Sequence, residues 1–512
     1  MSIYFLNIDL GLQCTGIENS ALLRAKLFYK ELNINPIFIL SKYSPHQYLE
    51  ILSLKENGRL QPDTKTVNIY DLVQSVDRNL LAYKEKSVFI DKGFSVVKVN
   101  GNKKIIDSSG YVVMYLVYNK FSGLLSYINR FDQRKIWRRD YYDCLGFLSR
   151  TQILREEDRK VSQEIYYRPN GTISLIKDFF YSFKDKLEKV RFQVVSNVGE
   201  FVCVFYNEND FIYYFLSLYF DGKKENKVLL VDKNKVFYDV AVKLKESLKD
   251  KEDKTYIISA IHNLHVVNYK EKNSSRINSN YFSVFKDLTK TDAVIVQTLL
   301  QKEDILDRFQ ARNIYAIPHT YENRLPKEFN LKRNLYKAVY FARYSIEKRH
   351  ELAIHAFEKV VEEIPSATFH CYGFGAELAE LKKLVVELKL ENNIFLHGWC
   401  NNVAEEYESA GLSIISSQSE SFSLTIAESL AHGCPVVCFD VPYGPRELVQ
   451  SGENGYLVPY PDTQAMAEKV IYIMTESTRQ LELSKKARIS SRKYSEAVVA
   501  KQWSEVLSRL GN

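Results

Sequence analysis

The sequence predicts an α/β protein of two Rossmann-like domains facing a cleft, with an antiparallel β-rich insert in the first. Three observations carry this. Short apolar runs alternate with amphipathic helical stretches at the start of the chain and again after about residue 220, the rhythm of parallel sheets covered on both faces. Between roughly residues 80 and 220 that rhythm gives way to alternating Val, Ile, Tyr and Phe runs broken by Gly, Asn and Asp, the pattern of hairpins. Finally, 512 residues exceed one ordinary core.

Taken in order, SIYFLNIDLG runs into a loop, Leu10 to Glu18, before the amphipathic stretch NSALLRAKLFYKEL and the strand PIFIL. Gly16 near the loop's end lets backbone N–H groups approach a phosphate at the helix N-terminus. The loop lacks the G-x-G-x-x-G spacing of a dinucleotide site, and a plain strand-to-helix turn accounts for it equally well. In the insert, Val99-Asn100-Gly101-Asn102 and Pro169-Asn170-Gly171-Thr172 have the composition of hairpin turns. The α/β rhythm resumes with KVLLVD, FYDVAVKLKESLKD, TYIISAIH, AVIVQT, KEDILDRFQ and NIYAIPH. After a charged connector, Arg324 to Lys337, a second series runs KAVYFAR, HELAIHAFEKVVEEI, ATFHCYG, AELAELKKLVVELKL, NIFLHGW, LSIISS and PVVCFD, and SEAVVAKQWSEVLSRL closes the chain as a helix. The predicted domains are 1–65 with 216–323, the insert 66–215 (for oligomerisation or acceptor binding), 324–495, and a terminal helix 496–512.

Composition narrows the class. A hydrophobic share of 46% with 26% charged residues describes a soluble globular protein. The net charge of +7 suits anionic ligands such as a sugar diphosphate. It is too diffuse for nucleic acid, which needs Lys and Arg interleaved with exposed aromatics. The seven cysteines are scattered, several inside apolar runs, so reduced buried thiols are expected and no spacing forms a zinc site. No leader pattern or long apolar span is present, so the protein is expected in the cytoplasm with at most peripheral membrane contact.

The chemistry-bearing positions cluster at predicted strand ends, where open α/β sheets bind ligands. Glu420 and Glu428 lie eight apart between two buried-strand signals; spacing alone is equally that of a solvated helix start. Arg343 closes one strand and Lys348 opens the next helix, a pair suited to a diphosphate: Arg as a bidentate fork, Lys as a point charge. Alone they read as solvated loop charges. His262 and His265 follow TYIISA; no third ligand makes them a zinc site. Tyr372-Gly373-Phe374-Gly375 and Gly398-Trp399 are strand-end turns, and Trp399 is equally a core residue by composition.

Together these residues, in this order, resemble the retaining glycosyltransferases of family 4, with the two-Rossmann-domain (GT-B) architecture and an E-x7-E motif. The insert, the TGIE loop and the YGP segment (Tyr443 to Pro445) resemble a subgroup of that family. It contains the bacterial poly(glycerol-phosphate) and wall-teichoic-acid α-glycosyltransferases and the accessory-secretion glycosyltransferases of serine-rich-repeat adhesins. The resemblance implies a UDP-sugar between the domains, with Arg343, Lys348 and the Gly16 loop on the diphosphate and Glu428 on the ribose. Glu420 and His265, or else His262, would orient the transferred sugar. Tyr372, Gly373, Gly398 and Trp399 would cradle the uracil and approach the phosphates, with Ser423, Leu424 and Thr425 also at the nucleotide. One departure stands out: SFSLTIA follows Glu420, so Ser421 replaces the glycine frequent there.

The resemblance further implies retention of configuration, and the lack of any D-x-D sequence fits a metal-independent enzyme. UDP-glucose is the expected donor and UDP-N-acetylglucosamine the second. The expected acceptor is an O-linked GlcNAc on a serine-rich adhesin, a second glycosylation step, with poly(glycerol or ribitol phosphate) as the alternative. A non-catalytic partner of a true transferase is the reading of another class, though it would not need Arg343, Lys348, Glu420 and Glu428. A homo-oligomer, tetramer or trimer, through the insert is expected, and no nucleic acid.

Overall fold

The computed structural model describes residues 1–512 apart from 13, 15, 79–87, 89, 91, 121, 249–252, 322–332 and 512. Thr15 of the TGIE loop, the Lys249-Asp250 end of one predicted helix and residues 324–332 of the connector lie outside the described residues. The chain packs as two compact units, Met1–Glu18 with Asn35–Ile257, and Asn19–Ile34 with Ile258–Asn512.

A seven-stranded sheet takes the order Ile314–Ala316, Ala293–Val296, Thr255–Ala260, Lys227–Val231, Ser2–Asn7, Ile37–Leu40, Thr66–Asn68. Its central strands are buried apolar runs, as parallel strands covered on both faces must be. The insert is a ten-stranded antiparallel sheet that follows the chain strand by strand from Ser95–Val99 to Phe201–Phe205. Both expected hairpin turns are present. Asn100 and Gly101 have φ of 48° and 80°, the two left-handed residues a tight two-residue loop requires. The insert is tied down within its own unit by buried polar contacts. Lys177 Nζ hydrogen-bonds the Tyr70 hydroxyl, and Gln74 Nε2 donates to the carbonyls of Ser149 (2.9 Å) and Tyr167 (2.6 Å).

A six-stranded parallel sheet, wholly within the second unit, runs Ile394–His397, Thr368–Tyr372, Asn334–Phe341, Ala410–Ile415, Val436–Phe439, Gly455–Val458. The first of its strands along the chain begins at Asn334, inside the stretch read as connector. Every residue of Ala410–Ile415 and Val436–Phe439 is buried. The helix His350–Glu363 shows why it packs: His350, Ala353, Ile354, Ala356, Phe357 and Val360 form one buried face at helical spacing. Register fixes the functional edge. Phe341 pairs with Tyr372 and Tyr372 with His397, so Arg343, Gly373 and Gly398 all leave the sheet at one side. Among the described residues no helix is long and apolar enough to cross a membrane.

Candidate functional site

The strand carboxyl ends of the six-stranded sheet gather a charged cluster. Lys348 Nζ lies 2.5 Å from Glu420 Oε1, and both side chains are largely buried. Ser417 Oγ donates to the same carboxylate oxygen at 2.7 Å. The Lys348 backbone is held too: its carbonyl accepts from Ser416 Oγ (2.9 Å) and Tyr340 OH (3.1 Å). Behind it His350 is buried against the Tyr340 ring, 4.6 Å away. Burial, with the Lys348 charge, pushes the His350 pKa down to about 3. The cluster therefore holds one fixed cation beside a neutral ring. Arg343 is half exposed and bonds Glu347 Oε1 at 2.8 Å, a surface pairing that a stronger anion can replace at little cost.

Close backbone packing shapes the rim. A Cβ at Gly373 would stand 2.0 Å from the Ala342 carbonyl oxygen, and one at Gly444 1.7 Å from that of Phe422. Only glycine admits such approaches. The Glu420 main chain is clamped by the segment at Pro442: Glu420 N donates to Pro442 O (3.1 Å), while Tyr443 N (2.5 Å) and Gly444 N (2.9 Å) donate to Glu420 O. Ser423 has φ 74° and opens the helix Leu424–Ala431, which carries Thr425 and a half-buried Glu428. Phe374 and Trp399 are exposed, with ring centroids 6.2 Å apart, while Tyr372 stacks on His397 at 4.6 Å.

The two histidines differ. His265 is fully buried, stacked 6.3 Å from Tyr443, with no hydrogen-bond partner on either ring nitrogen. Burial pushes its pKa down to about 4, with Asp304 opposing and Arg308 and Lys272 assisting. His262 keeps slight exposure, stacks on His319 at 5.6 Å, and accepts from Ser421 Oγ through its carbonyl at 2.5 Å. Gly16 is exposed at the start of the helix Gly16–Leu32, with open space where a Cβ would stand. Sequence reasoning gave no role to Ser416 and Ser417, and placed Tyr443 only within the YGP segment. The serine-rich run directly after a buried strand was the available signal for the first two. No cluster of three or more His, Cys, Asp or Glu able to hold a metal ion occurs among the described residues.

The family model for glycosyl transferases group 1 matches residues 321–490. This stretch is a group 1 glycosyltransferase domain. The whole chain is also similar to known proteins of the kind. The poly(glycerol-phosphate) alpha-glucosyltransferase of Bacillus subtilis is 27% identical, over 100% of this chain and 75% of the relative. The crystal structure of a Staphylococcus aureus TarM variant with fondaparinux, alpha-GlcNAc-glycerol and UDP has a TM-score of 0.80 at 22% identity, covering 99% of each chain. The pneumococcal O-GlcNAc transferase GtfA with UDP and GlcNAc has a TM-score of 0.82 at 20% identity, covering 100% of this chain and 99% of that one. The fold is that of the GT-B glycosyltransferases, and the chain is similar along its whole length to both a poly(glycerol-phosphate) glucosyltransferase and a peptide N-acetylglucosaminyltransferase.

Proposed function

We propose that the protein is a retaining, metal-independent hexosyltransferase that moves glucose from UDP-glucose to a phosphodiester-linked polyol polymer of the cell wall. The observation that carries the donor half is the cluster of Arg343, Lys348 and Glu420 at the strand ends. As the glycosidic bond breaks, charge develops on the departing diphosphate. Arg343 can swing from Glu347 to meet it, and Lys348 is already fixed in place. Oriented cations in a partly dry site are the dominant stabilisation such a leaving group can receive. The helix start at Ser423 adds its N–H groups, Glu428 takes the ribose, and Glu420 the sugar. The acceptor attacks from the leaving-group side, so configuration is retained without a protein nucleophile.

For the acceptor, 27% identity across the whole chain to a poly(glycerol-phosphate) enzyme favours the polymer. Likeness to a peptide N-acetylglucosaminyltransferase and to a pneumococcal O-GlcNAc transferase keeps a glycosylated Ser-rich protein as the second reading, the one the sequence alone favoured. The test is UDP release from UDP-glucose, with UDP-N-acetylglucosamine alongside, offered poly(glycerol phosphate) and a GlcNAc-bearing Ser-rich peptide in parallel. Turnover on the polymer alone supports the assignment, and turnover on the glycopeptide alone replaces it with the second reading.

Self-association belongs to the same proposal. The edge strand Phe201–Phe205 leaves Phe201, Val202 and Val204 exposed, an apolar edge that soluble monomers avoid. A trimer or tetramer through this edge predicts that Val202→Lys with Val204→Lys sediments as a smaller species; an unchanged profile would dismiss the edge as the interface.

A further inference from the structure

The edge of the six-stranded sheet joins two histidines that lie outside the charged cluster. His370 sits inside the strand Thr368–Tyr372, and His397 ends the strand Ile394–His397. In the register His370 faces Phe395 and Tyr372 faces His397. The two histidines are therefore diagonal neighbours on one face, within reach of ring side chains. His370 Nδ1 lies 3.1 Å from His397 Nε2. The ring planes are nearly parallel, at 5°, with centroids 5.3 Å apart, much farther than the two nitrogens. The rings thus meet edge on, and one donates an N–H to the other. Such a bond needs a neutral acceptor nitrogen. Burial pushes the His370 pKa down to about 4, with Lys337 and His397 assisting and Glu406 opposing. Burial also lowers His397, against Glu406 and with Lys337. At neutral pH both rings are uncharged and the bond stands.

What the bond holds is the base of two turns. His397 directly precedes Gly398-Trp399, and Tyr372 directly precedes Gly373-Phe374. The Tyr372 ring is packed between His397, 4.6 Å away at 14°, and Phe341, 4.8 Å away at 12°. Its hydroxyl bonds Glu406, whose carboxylate Lys337 holds at 2.6 Å. The turns are also tied to each other. Gly373 N donates to the Gly398 carbonyl at 3.0 Å, and the buried Tyr344 hydroxyl lies 2.8 Å and 2.7 Å from the Cys371 and His397 carbonyls. Both turns carry exposed rings, Phe374 and Trp399. They adjoin Arg343, because Tyr344 N donates to the Phe374 carbonyl at 3.0 Å. Open ring faces beside a cation suit a ligand with one flat heteroaromatic end and one anionic end.

We propose that the His370–His397 pair is a positioning device for the nucleobase end of the donor. It fixes the turns that bear Phe374 and Trp399, and so sets affinity for the base without touching the reacting atoms. The inference rests on the donor reading above, in which Arg343 and Lys348 take the diphosphate. A base is held alike before and during transfer, so the pair governs KM and leaves kcat alone.

Binding decides the matter. UDP and inorganic pyrophosphate are titrated against the full chain and three variants, and UDP-glucose kinetics accompany them. His370→Phe keeps a ring against Phe395 and removes the bonding nitrogen. His397→Phe removes the other nitrogen and keeps a ring over Tyr372, so a folding defect in either variant leaves the second to decide. His370→Asn places an amide near the Nδ1 position and restores the bond. Circular dichroism and cooperative unfolding check each fold. Both phenylalanine variants should weaken UDP about fivefold and raise KM for UDP-glucose by the same factor. Pyrophosphate affinity and kcat should not change, and His370→Asn should bind UDP as the parent does. Undiminished UDP affinity in the folded phenylalanine variants would overturn the positioning role. So would an equal loss of UDP and pyrophosphate, or an asparagine variant as weak as the phenylalanine one, since either marks the pair as general support for the sheet edge. A parent that binds UDP no more tightly than pyrophosphate has no base site at these turns; the proposal then falls while the diphosphate reading stands. A parent that binds neither overturns both.

Discussion

The parallel and antiparallel sheets carry their charges in opposite ways. At the edge of the six-stranded parallel sheet the cation Lys348 is buried, fixed at 2.5 Å by Glu420 and backed by a neutral His350. On the antiparallel insert the cations Lys103, Lys104, Arg134 and Lys135 are many and lack carboxylate partners among the described residues. A buried pair costs desolvation and holds a geometry, which suits one defined ligand. An unpaired excess near solvent gains little from any one contact but sums to a field.

The largest expected effect separates the two units by pH. His350 and His265 are buried and neutral in the folded protein, with pKa values pushed down to about 3 and about 4. In the unfolded chain each titrates near the ordinary value of about 6.5. Above that value neither state holds the extra proton and stability is intact. As pH falls below it the unfolded chain binds protons that the folded state refuses, so stability is lost until the folded pKa is reached. For His350 alone the loss is on the order of 4 kcal/mol by pH 3. Hydrogen exchange should show the unit containing Ile258–Asn512 opening before the strands of the insert as pH drops from 6.5 to 4. His350→Phe should flatten its part of that slope, and a slope identical to the parent's would assign acid sensitivity elsewhere.

Next in size is the buried pair itself. Lys348→Ala removes the fixed cation and leaves the Glu420 carboxylate with Ser417 alone. Loss of one preoriented charge at a developing anion costs roughly 10²–10³-fold in kcat/KM. Measured UDP release falling by that factor, in a protein that still unfolds cooperatively, places Lys348 in the chemistry. Full activity would bring back the non-catalytic reading, and with it the idea that both charged regions serve only to hold an acceptor.

The same contrast governs what the sequence disclosed. The parallel strands were legible because buried strands are nearly unbroken apolar runs, as in LSIISS and PVVCFD. The turn Asn100-Gly101 was legible because two left-handed residues in a row require such a dipeptide. Arg343, Lys348 and Glu420 could be named, but not their contact. Lys348 and Glu420 are 72 residues apart, and only the neighbouring of Asn334–Phe341 and Ala410–Ile415 in the sheet brings them together. The helix Glu208–Phe220 escaped notice because its DFIYYFLSLYF is apolar nearly all round, without the stripe that marks an amphipathic helix. In the insert the count of charges was on the page from the start. Which of them share a face was not, since that depends on the register of ten strands.

The smallest effect tests a position where the motif itself departs from its family resemblance. Ser421 stands where glycine is frequent, and its hydroxyl donates to the His262 carbonyl at 2.5 Å. The Glu420 loop is thereby fastened on one side by Ser421 and on the other by Tyr443, whose ring stacks on His265. Replacing Ser421 removes one neutral hydrogen bond, worth about 1 kcal/mol, and with glycine also frees the backbone. Ser421→Ala and Ser421→Gly separate these causes. If the hydroxyl positions Glu420 for the donor sugar, both raise KM for UDP-glucose roughly fivefold and leave UDP binding unchanged, because the nucleotide end of the site is untouched. If only the glycine variant weakens, backbone stiffness is what the serine contributes. Ser421→Thr, which keeps the hydroxyl, should then behave as the parent in either case. A threonine variant as weak as the alanine one would mean that the loop tolerates no bulk at this position, and that its fastening to His262 is incidental to the chemistry.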